Sequence, residues 1–469
     1  MNDPLSQESN APTYKLYKRR FLGLAGMCIL NLVGAMAPSW FGPIANPTSE
    51  VFHISLDRVN WLGNIMACIY LPAAALTPWL VSRYSMRMAC RLGSVCLILA
   101  AWIRYAGTAK SLSDNSAYAL LIIGQLFASI PQAIFQVLPT KYSELWFDVR
   151  GRTTATMAMA IMIPIGSALA QVISPQLRDP KQAILVLGII ETVAAPAVFL
   201  IHNQPPTPPT YAAAQKRSHR ALLKELAGLP PGDEAQYGRV SMRERLDFFI
   251  VVLVFGVQSG AVNTFSILSS QYLDPQGYSD DIAGFMGATL LLAGIVASAI
   301  TSPIFDRVLT RHLGRTIQVL VPVLSVVWLS LVWAVRPNNT AALFALSAFI
   351  GICGITLLPV ALELAAELTR APDASAAFLW ASCNVFAIIT TLSESALRAG
   401  PGAKPPFNMR NALIFHAVII CVVSLLVFGL KGKQNRRERD EMEAGRAEQD
   451  QTPTEPSSPR SGAESPKKG

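Results

Sequence analysis

Twelve apolar stretches, each long enough to cross a lipid bilayer, run from Phe21 to Leu430 and fall into two groups of six around a charged, proline-rich connector. A helix rises about 1.5 Å per residue and the hydrocarbon core is about 30 Å thick, so roughly 20 apolar residues make one crossing. The stretches occupy 21–44, 59–81, 88–109, 117–140, 151–174, 183–202, 247–272, 282–305, 316–336, 340–362, 374–397 and 410–430. Continuous apolar runs, in place of the alternating pattern of a lipid-facing barrel, imply helices. Only 15% of the residues are charged, against about 25% in soluble domains, so most of the chain belongs in lipid. The expected fold is all-α and integral to the membrane: twelve transmembrane helices in two six-helix repeats.

The division that follows is an N-terminal segment 1–20, a six-helix bundle 21–202, a connector 203–246, a second bundle 247–430 and a tail 431–469. With both termini inside, the inner segments hold 30 of the 39 Lys and Arg residues. That asymmetry selects a cytoplasmic location for both termini. The basic charge is spread over short loops, not gathered on one face, so no nucleic-acid partner is expected. The mostly polar residues before the first stretch carry no cleavage signal, and the first helix is expected to direct its own insertion. The seven cysteines all fall inside predicted spans, with no CxxC and no histidine at ligand spacing. Neither a disulfide framework nor a metal site is supported, and no cofactor is expected. The chain also lacks a nucleophile elbow, an HExxH string and a P-loop, so it does not read as an enzyme.

The halves resemble copies of one unit. Leu138-Pro139 recurs as Leu358-Pro359, and Ser82-Arg83 is answered by Asp306-Arg307, at offsets of 220 and 224 positions. Parallel repeats of this kind place a cavity between them near the midplane, and alternating access is the natural mechanism. The connector opens with Pro205-Pro206-Thr207-Pro208-Pro209, an extended linker, and Ala221 to Leu229 reads either as an amphipathic surface helix or as solvated chain. The tail is almost without apolar residues and reads as disordered.

Several strings carry a family resemblance: Tyr17-Lys18-Arg19-Arg20-Phe21, Asn60-Trp61-Leu62, Leu145-Trp146-Phe147, the Pro-Pro-Thr-Pro-Pro string, and Leu358 through Thr369 with its two glutamates. Together with the six-plus-six pattern they make the chain similar to the major facilitator superfamily. Within it, the chain looks like the feline leukaemia virus subgroup C receptor-related branch, nearest its less characterised members. The resemblance implies a transporter of a small organic solute, with choline, ethanolamine and haem as the substrates of studied relatives. Two alternatives stay open: a proton-coupled antiporter of another small molecule, and a non-transporting sensor or receptor on the same fold. A monomer in the plasma membrane or an internal membrane is expected.

The superfamily's loop motif is degenerate in its first copy, where Ser82 stands in the acidic position, and retained in its second as Asp306 and Arg307. Arg83, Glu144, Arg150, Asp306, Arg307, Glu363 and Glu367 lie at helix ends and are read as salt bridges that gate the inner face. Intramembrane polar residues are costly and read first as functional. Asn31, Gln132, Gln258, Asn263 and Asn384 are therefore candidate substrate contacts, with Trp40 as their aromatic companion. Pro38 and Pro164 free backbone carbonyls and are candidate helix hinges. Choline-linked relatives use a Trp on helix one and a Tyr on helix seven, positions that fall here on Pro38 and Asn263, while the helix-eleven amide is kept as Asn384. Trp40 lies two residues beyond the expected Trp position, about 200° around a helix. The five histidines form no axial pair for haem. Three ionisable groups lie deeper than the gates: Glu191, the candidate for proton coupling, and Glu394 with His416, which are expected to pair with Arg398 or with each other.

Overall fold

The computed structural model describes residues 15–177, 179–207, 241–304, 312–369 and 372–432. Among them, regular structure is helical, and twelve helices are long and apolar enough to cross a membrane. In chain order they are α1 Arg20–Trp40, α2 Leu56–Arg83, α3 Met86–Ala106, α4 Asp114–Trp146, α5 Thr154–Gln176 and α6 Pro180–Leu200, then α7 Met242–Ile267, α8 Asp280–Thr301, α9 Leu313–Ala334, α10 Thr340–Thr369, α11 Ala374–Ala396 and α12 Arg410–Gly429. In a medium without water every backbone N–H and C=O must be paired within the segment, which a helix does unaided. Starts are fixed by side chains that accept from the first turn: Ser55 for α2, Ser113 for α4, and Ser241 with Glu244 in a reciprocal capping box for α7. Helices α4 and α10 run past their apolar stretches to Trp146 and Thr369. Their last turns carry Glu144, Glu363 and Glu367, charges that suit an end outside the hydrocarbon.

Two breaks fall where the sequence places hinges. Helix α1 is interrupted at Ala35, between segments Arg20–Gly34 and Met36–Trp40. Helix α5 is interrupted at Ile161, between Val149–Ala160 and Met162–Gln176. In each case the regular ladder ends four residues before a proline, Pro38 or Pro164, because proline has no N–H to offer the carbonyl one turn back.

Successive crossings alternate in direction, so the described ends near Tyr17 and Gly432 and both edges of the connector lie on one side, the connector end. Tyr17 Oη meets Thr207 Oγ1 at 2.9 Å there, and the Gly432 N–H donates to Asp247 at 3.0 Å. The central connector, 208–240, and everything past 432 lie outside the described residues, as do the stretch from Ala221 to Leu229, read either as a surface helix or as solvated chain, Asp306, Arg307 and the side chain of Arg150.

The bundles meet along α2 against α11 and α5 against α8. At the far end, opposite the connector, they are latched by polar bonds. Gln271 donates to Asn60 at 2.6 Å and Asn60 donates to Ser395 at 3.1 Å. Arg398 pairs with Asp57 at 2.8 Å. Gln171 donates to Ser266 and Gln176 to Asp281, each at 3.3 Å. Close approach of α5 and α8 requires glycine at position 284, since a Cβ there would overlap the backbone carbonyl of Gln171. Replacing Gly284 with Val is therefore expected to wedge the bundles apart at the far end. Spin labels on the exposed far-end residues Lys110 and Lys404 check this: the distance distribution should shift to longer values in G284V, and an unchanged distribution would contradict the assignment.

Candidate functional site

Two adjoining cavities lie at the seam, the smaller between the bundles and the larger mostly within the second bundle, against Ile163, Pro164 and Ser167 of α5. The smaller, about 620 Å³ of empty volume, takes residues from six helices: Pro38 and Ser39 of α1, Met66 of α2, Gln132 and Gln136 of α4, Ser167 of α5, Asn263 and Ser266 of α7, and Trp380 and Asn384 of α11. The larger, about 930 Å³ and partly continuous with the exterior, runs toward the connector end past Gln258, Leu357, Val427 and Leu430. Ile163, Ser167, Asn263 and Trp380 line both, so the two adjoin at these residues. Among the described residues, no Asp, Glu, Lys, Arg or His contributes to either lining.

The structure brings Gln132, Asn263 and Asn384 together on the smaller cavity, with Pro38 beside them, and sets Gln258 and Pro164 on the larger. Asn384 donates one amide hydrogen to the Trp380 carbonyl at 2.8 Å, which fixes its side chain and leaves the amide oxygen uncommitted. Asn263 reaches Cys383 Sγ at 3.4 Å. Gln258 donates toward Ser325 and Ser424 at 3.4 and 3.3 Å, and its buried Oε1 has no partner.

Asn31 and Trp40 are not among the lining residues. Asn31 donates to the Met27 carbonyl on its own helix at 3.0 Å. Trp40, fully buried, packs with Phe41, Leu62 and Leu187 inside the first bundle. The sequence gives their depth but leaves open which way each points. Trp380 supplies the cavity's aromatic surface instead, braced edge-on by Phe255 at 5.5 Å between centroids. It lies four residues before Asn384, on the same face of α11, and that spacing is the signal that could have found it.

The deep charges are paired with one another. Arg104, inside the third apolar stretch but not singled out from the sequence, is buried in α3, bonded to Glu191 of α6 and donating to Gln125 of α4 at 2.7 Å. Gln125 in turn donates to the Leu62 carbonyl at 3.2 Å. Arginine stays charged at any ordinary pH, so Glu191 has a permanent counter-ion and acts here as a tie between helices. Glu394 pairs with His416 at 2.7 Å, and Arg398 goes to Asp57. Of the expected gate residues, Glu144 pairs with Lys141 of its own helix at 2.9 Å and so does not bridge the bundles. Arg83 is exposed, Glu363 half-buried, and Glu367 buried with contacts of its own.

A two-bundle helical membrane protein, latched at one end and holding a cavity of solute size where its repeats meet, is a transporter built for alternating access. Residues 27–392 match the Major Facilitator Superfamily, and the chain belongs to that family. Solute carrier family 49 member A3 of Danio rerio is 25% identical over 411 residues, which cover 86% of this chain and 83% of that protein. The choline/ethanolamine transporter FLVCR2 of Homo sapiens is 22% identical over 407 residues, covering 83% of this chain and 74% of its own. These relatives agree with the branch read from the sequence motifs. Among solved structures, a D-xylose–proton symporter superposes with a TM-score of 0.67 at 12% identity, covering 88% of this chain and 99% of its own. A bacterial homologue of the lysosomal transporter Spinster, inward-facing and unoccupied, superposes at 0.61 with 12% identity, covering 88% and 97%. Both share the fold.

Removing one partner of a buried ion pair leaves the other charge uncompensated, at a cost of about 3–5 kcal/mol. Arg104→Ala should therefore destabilise the protein by an amount of that order. Arg104→Met combined with Glu191→Leu should recover most of it. Thermal unfolding in detergent checks both, and a single mutant as stable as the wild type would contradict the structural role.

Proposed function

We propose that this protein carries a small amino alcohol of the choline type across the membrane, exposing the cavity between its bundles to one side and then the other. The observation that carries the reading is the lining itself: side-chain amides and hydroxyls beside an indole face, with no formal charge. An anion would meet no basic group there. The two carboxylates of haem would be unpaired and its iron without a histidine. A quaternary ammonium needs no hydrogen-bond acceptor and is attracted to an aromatic face, here Trp380, while its hydroxyl suits the free oxygen of Asn384 and the amides of Gln132 and Asn263. Two relatives with choline and ethanolamine in their names support the same class. This chain, lacking the relatives' Trp and Tyr positions, would use an aromatic on α11 in their place.

The excess of basic residues at the connector end supports a cytoplasmic position for that end and for both termini. The latch seen at the far end then belongs to the inward-open half of the cycle. When the far end opens, Arg83, Glu144, Arg150, Asp306, Arg307, Glu363 and Glu367 are the groups available to close the other.

The test is uptake of labelled choline and ethanolamine by purified protein in liposomes. Saturable flux is expected. A desolvated cation–π contact is worth about 2 kcal/mol, so Trp380→Ala should raise the KM for choline about 30-fold at 1.4 kcal/mol per tenfold. Asn384→Ala should weaken choline and ethanolamine alike. Absence of saturable flux for either, in protein shown to be folded, would overturn the reading.

A further inference from the structure

Behind the far-end latch, away from both cavities, the second bundle holds a buried trio that transport of a solute does not require. Tyr272, on the short helix Ser269–Leu273 after α7, donates its hydroxyl to Glu394 Oε2. His416 of α12 meets Glu394 Oε1 through Nδ1 at 2.7 Å. All three are at most 2% exposed. A carboxylate accepts and does not donate, so the His416 Nδ1 carries the hydrogen and Nε2 is left as the basic nitrogen. That Nε2 is buried without a partner. The imidazole lies over Trp328 of α9, with ring centroids 4.6 Å apart, and an aromatic face favours a cation.

The closest other ionisable group in the chain is Asp274, two residues past Tyr272, and Asp280 and Asp281 open α8, which packs on the Ser269–Leu273 helix; these three lie nearer the far surface than the trio. Among the described residues, the other helices around the trio bring no further ionisable group to its depth. On α9 that group is Arg315, and on α7 they are Arg243, Glu244, Arg245 and Asp247, all near the connector end. On α12 it is Arg410 in the first turn, and past the end of α11 it is Arg398, already held by Asp57. Cys383 and Cys421 are thiols nearer mid-membrane.

Each acidic member of the trio is a chain neighbour of a latch residue. Gln271, which donates to Asn60 of the first bundle, precedes Tyr272. Ser395, which accepts from the same Asn60, follows Glu394. When Asn60 leaves, the backbone on two sides of the trio is released and water from the far side gains a way in.

We propose that Tyr272, Glu394 and His416 form a proton-binding site linked to the far-end latch, loaded and emptied from the far side. With histidine neutral and glutamate ionised the trio carries one negative charge. One proton from far-side water, taken on the Nε2 of His416, makes it neutral overall as an imidazolium–carboxylate pair. Burying net charge costs more than burying a neutral pair, and closing the latch buries the trio. The bound proton therefore favours the closed far end, and a rise in far-side pH favours opening.

The test uses no substrate, so it stands apart from the choline reading. In a cysteine-free background, Ser39→Cys places a thiol on the cavity, and a membrane-impermeant thiol reagent is added from the far side. Its rate is divided by that of an exposed far-end control, Lys404→Cys, which removes the intrinsic pH dependence of the chemistry. The normalised rate is expected to rise at least fivefold from pH 5.5 to 8. Glu394→Gln should flatten that rise, and His416→Gln should do the same if the first variant is lost from the membrane. Tyr272→Phe, which keeps both titrating groups, should retain a rise. A flat profile in the parent, or the same rise in the Glu394 and His416 variants, would overturn the proposal.

Discussion

Lipid offers a polar group nothing to bond with, and the structure is organised by that fact. Backbone groups answer it by forming helices, and side chains answer it by pairing across them. Arg104 with Glu191 and Gln125 ties three helices of the first bundle, while Glu394 with His416 and Tyr272 ties the second. One amide with free capacity, that of Asn384, faces the space between the bundles.

The same constraint explains how the bundles separate and rejoin. Within each bundle the polar ties are buried and costly to break. Between bundles the latch uses mostly amides and hydroxyls, together with the Arg398–Asp57 pair, whose aspartate is 69% exposed. Water can replace such bonds as the end opens, so their individual strengths are modest. The result is two rigid units joined by a reversible seam, which is the mechanical requirement of alternating access.

Much of the fold was legible because a crossing has a minimum length and the chain satisfies it twelve times. The breaks in α1 and α5 were legible as well, since a proline names the carbonyl it leaves unpaired. Gln132, Asn263 and Asn384 could be picked out because polar residues in lipid are rare. Asn31 and Trp40 satisfied the same rule and yet turned away from the cavity, because a sequence gives a residue's depth more reliably than its direction. Trp380 escaped notice for the opposite reason: an aromatic residue in an apolar helix is ordinary until its neighbours are known. Arg104 was not singled out because it lies near the end of α3, where a long side chain could equally well have reached water. The pairing of Glu394 with His416, left open against Arg398, was decided by Asp57, which lies far away in sequence and claims Arg398 for the latch.

The claim on which everything else rests is that the amide-lined space between the bundles is reached from both faces of the membrane, one at a time, and that the solute sits there. A cysteine in place of Asn263, in an otherwise cysteine-free protein, reports on it directly through modification by an impermeant thiol reagent applied to one face of a sealed membrane. The account predicts modification from either face, slowed from both by choline. Modification from the connector face alone, or rates that choline leaves unchanged, would contradict it.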